Sequence, residues 1–273
     1  ADTRMQEFLF LCRAKDWDGA RDVGGALVRF CKQKGFSNHR ARILIQMGIA
    51  ELDADPNRCT TALSPLLEAL AICEAGEMHG LHAAAMSILA QVFLRLANPK
   101  RAIAILEGTL PTLLQREHVW FQAEAYRSLA RAHLKLNANF VACAAEKPAT
   151  IAIASATASA TATNSKRGTP AANRNQNQNH RRAHSETVRK RFHRALAAFQ
   201  KSSRLFEECH DKQRLREVYY LQARIHMVLG NTSKRDAVSE TFVALLGKRR
   251  GANVDGGGGI DGGVGVGVGD TTM

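Results

Sequence analysis

Two histidines three residues apart, His79 and His82, would lie on one face of a helix, near enough to share a metal ion. No third ligand at a matching spacing completes a set, so they read as ordinary polar histidines. Cys209-His210 has the composition of a thiolate–imidazole pair, but adjacent residues on a helix point in different directions. The paired acids Glu207-Glu208 and Asp53/Asp55 fall at helix ends, where carboxylates are commonplace. Gly257, Gly259 and Gly262 spell G-x-G-x-x-G, yet no strand precedes them and no helix follows, as a dinucleotide site requires. No G-x-x-x-x-G-K-[ST] loop and no G-x-S-x-G turn occurs. The expectation is therefore no catalytic residue, no metal, no cofactor and no small-molecule substrate: the chain does not read as an enzyme.

The polar residues that remain belong to a repeated pattern. "LAQVFLRLAN" at 89–98, "LARAHLKLNA" at 129–138 and "QARIHMVLGN" at 222–231 are variants of one stretch. Their leading alanines are Ala90, Ala130 and Ala223. Just after them stand Gln91, Arg131 and Arg224, which with Lys135 would line one side of a stack and form a groove for carboxylates or a peptide backbone. Phe93, His133 and His226 share the next equivalent place, so the two histidines are expected to pack within a helix pair rather than to ligate or titrate substrate.

A second small residue recurs downstream of each anchor. Ala102 lies twelve beyond Ala90 with Leu106 one turn on, and the same step joins Ala195 to Phe199 and Ala62 to Leu66. Two helices joined by a short turn approach closely only where small side chains meet, and a large one beside the crossing fills the groove. The packing anchors are thus Ala62, Ala90, Ala102, Ala130, Ala195 and Ala223. Ten helices are predicted, over 3–14, 17–34, 38–53, 57–76, 79–97, 99–116, 118–137, 188–209, 211–230 and 232–248. Asn98-Pro99 and Gly230-Asn231 mark turns, while Pro65 and Pro111 are expected to kink their helices.

The interval between repeats is 40 from Ala90 to Ala130 but 93 from Ala130 to Ala223. Residues 138–187, "ATIAIASATASATATN" followed by polar and basic sequence, account for the excess as a low-complexity insertion. The chain so divides into helical repeats over 1–137, an insertion over 138–187, further repeats over 188–248 and a Gly-rich tail over 249–273; insertion and tail are expected to be disordered. In the insertion Thr169 and Ser185 have the basic flanks of kinase targets. The chain opens at Ala1 already inside a helical pattern, as a piece of a longer protein would.

Composition agrees with this architecture. Aromatics make up 6% of the 273 residues, so small and aliphatic side chains must do the packing, which suits helices in close contact. No window is apolar enough to cross a membrane. Six scattered cysteines without a C-x-x-C pair read as free thiols in the nucleus or cytoplasm. The net charge of +13 is concentrated late, with +9 over residues 188–250. An acidic protein surface would complement it, and nucleic acid is the lesser possibility because no aromatics interleave with the cations.

An alanine, a larger residue three on, a turn seven on and an alanine twelve on resemble the tetratricopeptide family, with a period nearer 40 than the usual ~34. The asparagine of its carboxylate-clamp members is replaced by Gln91, Arg131 and Arg224, which argues against a clamp for chaperone tails. Within that superfamily, "HGLHAAAMSILAQVFLRLANPKRAIAILEGTLPTLL" and "VYYLQARIHMVLG" followed by "TSKRDAVSETF" are similar to the C-terminal repeats of the anaphase-promoting complex subunit 5 family. The resemblance implies a non-catalytic scaffold in a multi-subunit cell-cycle ubiquitin ligase, acting in mitosis and binding other protein subunits. Alternatives are a tetratricopeptide-type sensor arm of a signal-transducing regulator and a basic helical-repeat nucleic-acid binder.

Overall fold

The computed structural model describes residues 2–55, 59–115, 118–137 and 171–247. Among them lie ten helices and no strand: α1 Asp2–Ala14, α2 Trp17–Lys34, α3 Ser37–Ala54, α4 Leu63–Ala75, α5 His79–Arg95, α6 Pro99–Leu114, α7 Val119–Lys135, α8 Ala171–Glu208, α9 Lys212–Val228 and α10 Thr232–Gly247. Each helix packs on the next in sequence, and α5 also touches α3 and α7, so these three lie side by side. Ten helices packed in adjacent pairs are consistent with a helical solenoid.

The turns show how the sequence enforces this. Left-handed residues stand at Lys15, Gly35, Glu77, Ala97, His210 and Gly230. Lys15 to Gly35, Glu77 to Ala97 and His210 to Gly230 are each twenty positions apart, one helix plus its turn. Equivalent turns at Gly35 and Glu77 are forty-two apart, close to the interval of 40 between Ala90 and Ala130. After the left-handed residue a short polar side chain often starts the next helix. Asp16 accepts from the Gly19 amide at 3.1 Å, Asn98 from Arg101 at 3.2 Å and Asp211 from Arg214 at 3.0 Å. Pro99 then opens α6, where no backbone donor is required.

The core is a chain of local clusters rather than one central mass. Phe8, Ala20, Leu27, Cys31 and Ile43 hold α1 to α3. A second cluster around Leu44, Leu52, Leu66, Cys73 and Ile88 holds α3 to α5, and a third runs from Ala83 to Ile225. Phe93, Trp120 and Phe121 belong to the margins of the second and third and join them. Polar bridges fix α8 against α7: Ser202 Oγ donates to the Ala123 carbonyl at 2.9 Å, and Arg191 donates to the otherwise orphaned Leu136 carbonyl at 3.2 Å. The insertion therefore interrupts one helix pair at the connection between its two members.

Three expectations change. The helix expected over 188–209 starts at Ala171, so residues 171–187 of the expected insertion are helical. After Pro170 that stretch lacks glycine and proline, and its alanines, arginines and glutamines extend a helix readily. The helix expected over 57–76 begins only at Leu63. Pro65 consequently sits in its first turn, where a missing amide costs nothing, and it does not break a helix interior. Pro111 does lie inside a helix, in the closing turns of α6. Residues 138–170 and 248–273, with Thr169, lie outside the described residues, as does the Ser185 side chain.

Candidate interaction face

Ala62, Ala90, Ala102, Ala130 and Ala195 are fully buried, whereas Ala223 is half-exposed. Ala223 stands in the last described pair, which has no following pair to cover it. Ala62 lies at the start of α4 rather than within it. His133 and His226 are both buried, at 6% exposure each. Burial, with Arg194 and Arg191 outweighing Glu107, holds the His133 imidazole below its ordinary range; burial, Lys234 and His193 do the same for His226.

The side lined by α3, α5, α7 and α9 carries a charged network. At its centre the Arg127 side chain is 2% exposed and the Glu124 side chain 1%. They stand one helical turn apart, with Arg127 Nε donating to Glu124 Oε2 at 2.9 Å and Nη2 donating to Oε1. Arg127 Nη1 reaches Glu217 of α9 at 2.6 Å, and Arg131 reaches the other Glu217 oxygen at 3.1 Å. Gln91 of α5 donates to Glu124 Oε1 at 2.9 Å. Further out, Arg214 of α9 pairs with Asp53 of α3 at 2.8 Å. Trp120 Nε1 donates to Asp211 at 3.1 Å, in the turn before α9.

Electrostatics explain why such charges tolerate burial. Desolvation alone would push the Glu124 carboxyl up, but Arg127 and Arg214 overcome it and hold the group below the usual carboxylate range. Desolvation alone would weaken the Arg127 cation, and Glu124 and Glu217 restore it. Three arginines, Arg127, Arg131 and Arg214, face three acids, Glu124, Glu217 and Asp53. The network is neutral within itself and ties α9 to both α3 and α7.

No protein-family model matches this chain, and no curated protein matches it. What the face can do must come from its geometry.

The four groove residues anticipated from sequence are placed unequally. Gln91 and Arg131 meet through Glu124, Arg127 and Glu217. Lys135 is close enough to Arg131 and Arg95 for burial and their charges to lower its affinity for a proton, and it donates to the Leu94 carbonyl. Arg224 stands apart, its guanidinium 5.6 Å from the Tyr220 ring centroid. Gln91 and Lys135 thus brace α5 against α7, and Arg131 keeps a side chain 44% exposed beside Glu217. Arg127, Glu124, Glu217, Arg214 and Asp53 were not anticipated. The signal available was "FQAEAYRSLA", where a glutamate and an arginine one turn apart interrupt an otherwise packing-type run.

Among the described residues no three His, Cys, Asp or Glu side chains converge as a metal site needs. Cys12, Cys31, Cys59, Cys73 and Cys209 are free thiols, and Cys143 lies outside the described residues. No described helix is long and apolar enough to cross a membrane.

Proposed function

We propose that this chain is a non-catalytic scaffold, a tetratricopeptide-like solenoid of about five antiparallel helix pairs that binds other protein subunits. The observation that carries the proposal is the recurrence of left-handed turns one helix apart, with α3, α5 and α7 packed side by side behind them. A stack held by neighbour contacts presents extended surface while its interior stays rigid. The network of Arg127, Arg131 and Arg214 with Glu124, Glu217 and Asp53, neutral within itself, adds to that rigidity. With the sequence likeness to the anaphase-promoting complex subunit 5 family, the partners proposed are subunits of a cell-cycle ubiquitin ligase, in the nucleus or cytoplasm. Affinity purification followed by mass spectrometry tests it. Recovery of cullin-like and RING-type ligase subunits is expected, and recovery of the chain alone overturns the ligase assignment.

A further inference from the structure

The pairing of Arg214 with Asp53 brings the turn before α9 across to the first two helix pairs. Between them lies a cavity of about 710 Å³. That lies within the ~300–1,000 Å³ typical of clefts that enclose a small ligand or the side chains of a short segment. Its walls carry Arg13 and Lys15 from the end of α1 and the turn after it, Trp17 from α2, Ile49 from α3, Trp120 from α7 and Lys212 from α9.

The charges of this cleft do not cancel. Its two acids are both engaged: Asp53 receives Arg214, and Asp211 caps α9 through one oxygen and accepts from Trp120 through the other. Arg214 is satisfied by the same pairing. Arg13, Lys15 and Lys212 are exposed and make no ion pair among the described residues; set against the one carboxylate charge left on Asp211, they leave the lining with a net charge of +2. One of these three cations, Lys212, opens α9 at the end where the helix dipole disfavours positive charge.

We infer that this cleft receives an acidic segment of a partner protein, with carboxylates on Arg13, Lys15 and Lys212 and an apolar side chain between Trp17, Trp120 and Ile49. The walls also explain why a peptide fits better than nucleic acid. Gln46, and the lone pairs that Asp53 and Asp211 have left, can accept from peptide amide groups, donors that a phosphate backbone lacks. This inference rests on the scaffold reading for its biological setting only.

The test is direct binding to the purified chain of a fluorescein-labelled peptide of alternating glutamate and leucine, read by anisotropy at low salt. Binding is expected, with the glutamine-for-glutamate peptide at least about tenfold weaker and affinity falling as salt rises. The Lys212→Glu variant should weaken binding about threefold and still fold, since a carboxylate is favoured at that helix start. The triple variant Arg13→Glu/Lys15→Glu/Lys212→Glu should lose at least about tenfold. A control with the same charge change outside the cleft, Lys32→Glu/Lys100→Glu/Arg204→Glu, should stay within about twofold. Equal losses in the two triple variants, no binding to the parent, or tighter competition by single-stranded RNA than by unlabelled peptide would each overturn the inference. Because only the purified chain is used, this result stands apart from which proteins co-purify in cells.

Discussion

Replacing Arg127 with methionine removes the central cation of the buried network while leaving a side chain of similar length. Glu124, at 1% exposure, then keeps only the Gln91 hydrogen bond at 2.9 Å and the more distant field of Arg214 and Arg131. Stranding a buried charge in this way costs about 3–5 kcal/mol. At a few degrees per kcal/mol for a protein of this size, the melting temperature should fall by roughly 6–20 °C. The pH response should invert too. In the parent, Glu124 titrates below its unfolded value, so its stabilisation is present above that value and is lost as pH falls through the folded one. In the variant, burial dominates and raises the folded value above the unfolded one. The penalty should therefore shrink on acidification from about pH 7 to pH 5, because a protonated Glu124 is easier to bury. The buried histidines affect parent and variant alike and drop out of the difference. Urea unfolding followed by helical dichroism at both pH values reads the effect. Replacing both partners, Glu124→Leu/Arg127→Met, should cost less than Arg127→Met alone, since Glu217 still has Arg131 at 3.1 Å. A single variant that melts within two or three degrees of the parent, or a penalty equal at both pH values, would refute the reasoning.

A Cβ on Gly48 would lie 2.8 Å from Leu66 Cγ, so Gly48→Ala should destabilise by about 1 kcal/mol in thermal melts. In a Leu66→Ala background the same change should turn stabilising by about 1 kcal/mol, as helix propensity wins once the clash is gone. Gly230→Ala meets nothing within 4 Å and has φ of 71°, so its cost of about 1 kcal/mol in denaturant unfolding is backbone alone. Ala90→Leu and Ala130→Leu each place a large side chain at a fully buried crossing and should cost roughly 1–3 kcal/mol; calorimetric melts matching the parent would dismiss the anchor role. His133 faces Arg194, Arg191 and Glu107 and is held neutral when folded, so stability should be lost as pH falls below its unfolded value of about 6.5. His133→Phe should flatten the pH profile of the urea midpoint there.

The helices were legible because their packing leaves a periodic trace. Ala90 and Ala102 recur with large neighbours one turn on, and Asn98-Pro99 ends one helix and begins the next. The turns were legible only in part. Gly35 and Gly230 announce a left-handed residue, but Lys15, Glu77, Ala97 and His210 adopt the same backbone at a cost of roughly 1–2 kcal/mol each, which the surrounding helices impose. No local propensity foretells that. The start of α8 was missed because low complexity was read across Pro170, although the residues after it favour a helix. The interaction face was the least legible part. Gln91, Arg131 and Lys135 share a repeat register, and register predicts which side of the stack a residue occupies. It does not say which acid from another helix will meet it. Glu217 is ninety positions from Arg127, and Asp53 is farther still from Arg214.

Those distant pairings bear on how a repeat protein makes a site. Each helix pair is fixed by its neighbours, and small changes in turn geometry add along the stack. The Arg214–Asp53 and Trp120–Asp211 contacts join the later helices to the earlier ones. The walls of the cleft between them belong to α1, α2, α3, α7 and α9, so no single repeat contains it. A change at a buried crossing such as Ala90, which lines none of the cleft, is expected to alter the relative placement of Lys15 and Lys212. The spacing between those cations is therefore a property of the whole stack, and the binding of an acidic segment depends on packing residues that never touch it.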